Sequence, residues 1–120
     1  MALLRRVAAC GSMVVAAWVT IAGCGSDLPD IDCSAEPAIP TYAEVELFAT
    51  CSVCHASTAT GSLRMGAPVG IDFDSHAAAR ASAEPAVEEV YAGNMPPAGI
   101  AATEAQKHQL YVWGLCGTPE

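Results

Sequence analysis

Cys51-Ser52-Val53-Cys54-His55 is the stretch on which the reading of this chain turns. Two cysteines stand three positions apart, and a histidine follows the second at once. This C-x-x-C-H order is the pattern of covalent haem attachment. The spacing has a mechanism: two thiols near a helix end reach the two vinyl groups along one porphyrin edge, and the next residue puts an imidazole under the iron. Haem held in this way cannot diffuse out of a small domain. Other readings of the pair fit less well. A redox dithiol expects a strand, turn and helix around it, and no βαβ pattern is present. Half a zinc site needs a second pair, but Cys33, Cys116, His76 and His108 are scattered along the chain.

Working outward, composition points the same way. The chain has 120 residues, 52% hydrophobic but only 6% aromatic. A core of small side chains buries little, and a domain of this size needs a staple or a cofactor. Acidic residues outnumber basic ones 13 to 5, for a formal charge of -8. That argues against a nucleic-acid binder, which needs a basic face to meet phosphates.

Residues 1–23 read as an export signal. Arg5 and Arg6 precede an uncharged apolar run from Val7 to Ala22 with a small-residue exit. The run is shorter than the roughly 20 residues of a spanning helix. It ends in Ile21-Ala22-Gly23-Cys24, which resembles the lipobox of bacterial lipoproteins. That resemblance implies cleavage before Cys24 and lipidation of its sulfur, with membrane anchorage facing the periplasm or cell exterior. Each buried acyl methylene contributes about 0.8 kcal/mol to such a tether. The alternative is a retained N-terminal helix with Cys24 unmodified. After cleavage, Arg64, Arg80 and Lys107 face all 13 acidic residues, a charge near -10 (3 minus 13). A redox partner with a basic docking face is favoured electrostatically, chiefly in association rate. Residues 24–40 hold Pro29, Pro37 and Pro40 among Asp27, Asp30, Asp32 and Glu36, and read as an extended, solvated linker.

Short helices among irregular loops are expected from 41 to 117. Thr41-Tyr42-Ala43-Glu44 is a capping box, opening a helix from Tyr42 to about Cys51 with Val45, Phe48 and Ala49 on one face. Gly61 to Gly70 is loop-like. Asp74-Ser75 caps a helix to about Ala81, and Pro85 suits the first turn of another to about Tyr91. Gly93 to Gly99 is irregular. Thr103 to Gln106 is a second capping box, and its helix runs to about Leu115 with Leu110, Trp113 and Gly114 on one side. No strand pattern of useful length is present.

The iron of a haem held by His55 has a second axial position. Met95, Met65, His76 and His108 are the candidates. Met95 lies in Gly93-Asn94-Met95-Pro96-Pro97, where two prolines stiffen the loop that projects it. Met65 lies close behind His55, for a chain that must pass round a haem edge. His76 reads as a capping or solvent residue and His108 as part of a solvated face. Tyr91 and Trp113 read as core. From Thr41 to Gly117 the chain strongly resembles the class I cytochrome c family. The resemblance rests on the C-x-x-C-H run after a short helix, the Asn94-Met95-Pro96-Pro97 loop about forty residues on, and a closing helix with Leu110 and Trp113. It implies an all-α fold of three to five short helices around one covalent haem c, with His55 proximal and Met95 distal. It also implies that Phe48 and Trp113 pack between the first and last helices, and that the function is electron transfer rather than enzymatic catalysis.

Six cysteines, less Cys10 in the signal, Cys24 for lipid and Cys51 and Cys54 for haem, leave Cys33 and Cys116. An even remainder in an oxidising compartment suggests one disulfide, against a free buried Cys116. Two other functions compete with a lipid-anchored electron carrier: a haem sensor or peroxidase-like protein with a weak or open sixth position, and a haem-free thiol oxidoreductase.

Overall fold

The computed structural model describes residues 28–120. The expected signal segment 1–23, with Cys10, and Cys24, the expected lipidation site, lie outside the described residues. The described chain is all-α, with no strand among the described residues. Its α-helices are α1 (Leu47–Cys51), α2 (His76–Ala81), α3 (Ala83–Tyr91) and α4 (Glu104–Leu115), with short 3-10 turns at Tyr42–Glu44 and Gly61–Arg64. No helix among them is long and apolar enough to cross a membrane.

The first helix is shorter than its sequence pattern suggests. The Glu44 carboxylate accepts from the Thr41 N–H at 2.7 Å and the Thr41 hydroxyl at 3.0 Å, so the turn opens as the capping box predicts. Val45 then takes an extended backbone, and the chain restarts as α1. The break rotates the buried face. Val45, Leu47 and Phe48 are buried while Ala49 is exposed, contrary to the single-helix expectation.

The later elements follow their signals. Ser75 Oγ accepts from the Ala78 N–H at the start of α2. Pro85 lies in the first turn of α3. Thr103 and Gln106 exchange side-chain and backbone hydrogen bonds at 3.2 and 3.0 Å to open α4.

Helices α3 and α4 pack closely. A Cβ built on Gly114 would stand 2.7 Å from Val87 Cγ2, so only glycine allows this approach. Leu47, Val87, Leu110 and Trp113 are fully buried in one cluster with Phe48, Phe73 and Val90. Val112 is also buried, outside that cluster and beside the Pro37–Ala43 stretch. Tyr91 differs from its expected core place: it is half exposed and meets Tyr111 edge-on at 5.9 Å.

From residue 28 the acidic, proline-bearing segment is irregular, with one turn, and it is not a free spacer. Leu28 packs against the core. A turn closed by Ala35 N–H to Asp32 O carries Cys33, which is disulfide-bonded to Cys116 just beyond α4. Glu36 lies 3.2 Å from His108 Nε2. Proline keeps this segment from coiling, and the bond at Cys33 holds it down.

Candidate functional site

Cys51 is the last residue of α1, and the chain leaves the helix in a tight turn. His55 N–H donates to Cys51 O at 2.9 Å. The His55 carbonyl accepts from Phe73 N–H at 2.8 Å, and the Phe73 ring meets the imidazole edge-on at 5.4 Å. The side chain is fixed as well, with His55 Nδ1 2.8 Å from Ile71 O. A carbonyl only accepts, so this contact requires Nδ1–H, and the neutral ring then presents a bare Nε2. His55 is buried. It is thus an oriented imidazole with its free lone pair at Nε2.

Met95 is positioned by the end of α3. Gly93, at φ +79°, takes the left-handed conformation that a side chain resists. Its N–H reaches Val90 O at 3.1 Å, while Asn94 N–H reaches Glu89 O at 2.9 Å. These two bonds form the Schellman closure of a helix. Met95 N–H also points back to Glu89 O, at 3.1 Å. The methionine is therefore pinned at the helix exit and half-buried against the core.

Cys51, Cys54, His55 and Met95 all line one cavity of about 530 Å³. That volume lies in the range of small-molecule and cofactor sites. Two stretches of chain build it: one runs from Thr50 to Phe73, and the other from Pro85 to Ile100, with Leu110 from α4. Two thiols on one wall can form thioether bonds to a group lying in the cavity. The His55 imidazole and the Met95 thioether can each donate a lone pair to a metal at its centre. The donor set and the mostly apolar lining fit a porphyrin. Among the described residues, no three His, Cys, Asp or Glu side chains converge as a metal cage.

Of the other candidate donors, only Met65 shares the cavity lining. Met65 lines the cavity, but it is largely exposed and its Sδ lies 3.5 Å from Cys54 Sγ, beside the Cys51–His55 turn. His76 does not line the cavity. It neither caps α2 nor faces solvent alone, because its Nε2 donates to Thr118 O at 2.8 Å and its ring meets Tyr42 and Trp113 edge-on. His108 is exposed, next to Glu36.

Burial pushes the Cys51 thiol from its ordinary 9.0 up to about 11. The C-terminal end of a helix also disfavours a thiolate. A nucleophilic redox cysteine needs the reverse conditions.

One site residue has no motif to announce it. Arg64 is buried, with its guanidinium turned onto backbone carbonyls. Nε donates to Ala67 O at 3.1 Å; one terminal nitrogen donates to Ala56 O and Ala59 O; the other donates to Pro68 O and to Ile71 O at 3.2 Å. Asp72 lies 2.9 Å away as an ion pair without an aligned hydrogen bond. In the sequence, Arg64 is only one basic residue in a glycine-bearing loop. Its carbonyl partners become visible only once the loop closes.

Comparison with protein-family models, curated proteins and solved structures finds no match to this chain.

Proposed function

We propose that the chain is a lipid-anchored c-type cytochrome that passes single electrons through one covalent haem. The observation that carries this reading is the meeting of Cys51, Cys54, His55 and Met95 around a single cavity. Cys51 and Cys54 would form the thioethers, and His55 Nε2 and Met95 Sδ would be the donors that hold the iron. When bound, the haem supplies an iron that alternates between ferrous and ferric states. The polypeptide would hold both donors, His55 and Met95, in place so that little moves on transfer. His55 arrives with its tautomer set by Ile71 O. Met95 comes from the second stretch of chain, on a loop whose exit from α3 is pinned, whereas Met65 is largely exposed with its Sδ 3.5 Å from Cys54 Sγ. A thioether at the sixth position favours the reduced state.

In this reading Cys24 carries lipid and the domain faces the periplasm or cell surface. One electron arrives from a donor protein and leaves to an acceptor. The acidic surface favours partners with a basic docking face.

The test is a haem-stained gel of membrane and soluble fractions from the native host, with native and Cys24→Ala forms, together with spectra of the purified protein. The expected result is covalent haem in the membrane fraction, moving to the soluble fraction with Cys24→Ala. A ferric sulfur-to-iron charge-transfer band in the near infrared should be present and vanish in Met95→Ala. A colourless product with free Cys51 and Cys54 would overturn the proposal. A high-spin spectrum with rapid carbon monoxide binding would favour an open-site sensor or peroxidase-like protein.

A further inference from the structure

The carbonyl of Ile71 is shared. It accepts from His55 Nδ1 at 2.8 Å and from an Arg64 terminal nitrogen at 3.2 Å. A guanidinium carries five N–H hydrogens, and Arg64 spends them on five carbonyls: Ala56, Ala59, Ala67, Pro68 and Ile71. None is left to bind a carboxylate group of a ligand in the cavity. Asp72 balances the charge alongside. All five acceptors lie within residues 56–71, so one buried side chain ties up the loop that follows the attachment turn.

We propose that Arg64 is a positioning residue for His55 which acts through Ile71 O and raises the reduction potential of the bound haem. This rests on the haem reading above. The carbonyl gives electron density to a guanidinium with one lone pair and so holds the other more tightly. It is then a weaker acceptor for His55 Nδ1–H than a carbonyl bonded to histidine alone. A weaker bond at Nδ1 leaves the ring less imidazolate-like and Nε2 a poorer donor to iron. A poorer donor, together with a buried positive charge close by, disfavours the ferric state. Asp72 opposes part of that effect through its own charge.

Two variants of the mature, haem-loaded protein test this. In Arg64→Met, Ile71 O is freed for His55 alone. The midpoint potential should fall, and the His55 Nδ1–H proton resonance of the ferrous protein should move downfield as its hydrogen bond shortens. In Asp72→Asn, all five guanidinium bonds remain and the opposing negative charge is gone, so the midpoint potential should rise. A residue that merely scaffolds the loop would change the melting temperature and leave both readouts in place. The inference is overturned if folded Arg64→Met keeps its native potential and resonance, or if Asp72→Asn does not raise the potential. If Arg64→Met does not accumulate, Arg64→Lys, which keeps the charge but has only three donors for five carbonyls, decides by the same resonance and potential. A native protein without covalent haem overturns the functional reading and this inference together; haem-loaded variants with unchanged potentials overturn the inference alone.

Discussion

Phe48 and Trp113 meet edge to face, with ring centroids 4.9 Å apart and planes at 85°, and so join α1 to α4. This is a favoured arrangement for aromatic rings. The same indole donates from Nε1 to Pro119 O at 2.8 Å, and Tyr42 N–H reaches that carbonyl at 2.9 Å. One residue thus locks the first helix, the last helix and the C-terminal tail. Trp113→Ala should cost about 3–5 kcal/mol. Trp113→Phe should cost less, since it keeps much of the packing and loses the bond to Pro119. Guanidinium unfolding of the three forms measures the difference.

Gly114→Ala puts a methyl group 2.7 Å from Val87 Cγ2, where α3 and α4 are closest. Overpacking of this kind costs about 1–3 kcal/mol. Adding Val87→Ala should recover part of the loss, because the two positions share one space and their effects do not add. A double-mutant cycle by thermal unfolding reads this coupling; strict additivity would show that the helices move apart instead.

The Cys33–Cys116 bond spans 83 positions of chain. In the chain-entropy account, closing so long a loop contributes about 4 kcal/mol. The Cys33→Ser/Cys116→Ser protein should therefore unfold at clearly lower denaturant. It should also expose the segment between Leu28 and Pro40 to protease, since the remaining polar tie, Glu36 to His108, is on the surface and weak. Limited proteolysis followed by mass spectrometry locates the cut.

In the unmodified polypeptide, Cys51 should be slow to alkylate at neutral pH. Its thiol is raised by about two units to about 11, so the thiolate is roughly a hundredfold rarer than for a free cysteine. Reactivity should climb through pH 9, reach its midpoint near 11 and level off only above that. The linked effect on stability has the same sign: the buried neutral thiol favours the folded state below pH 9, and that contribution is lost as pH rises towards 11. Iodoacetamide labelling with peptide mapping checks the profile. A plateau near pH 7 would instead favour a dithiol oxidoreductase.

Much of the helical layout is legible in the sequence because capping is local. Ser75, Thr103 and Pro85 act on backbone groups within one turn, so α2, α3 and α4 lie where their signals put them. The extended break at Val45 is not legible, because Thr41 and Glu44 cap a turn equally well whether it continues or stops. Tyr91 reads as core by hydrophobicity, yet its exposure depends on which face of α3 meets α4, and Gly114 opposite Val87 decides that. Val112 sits on the far side of α4 from the main cluster, and only the fixed N-terminal segment explains its burial.

The chain order of residues determined the candidate chemistry: which two thiols and which imidazole stand together, and which methionine has a stiff loop. Covalent spacing and steric limits on proline and glycine act over a few residues, so a linear reading captures them. Tertiary structure alone decided that these groups border one cavity, that Ile71 presents its carbonyl to both His55 and Arg64, and that Cys33 lies against the end of α4. Those are contacts between distant or irregular segments, made by packing and hydrogen-bond closure, which no local pattern encodes.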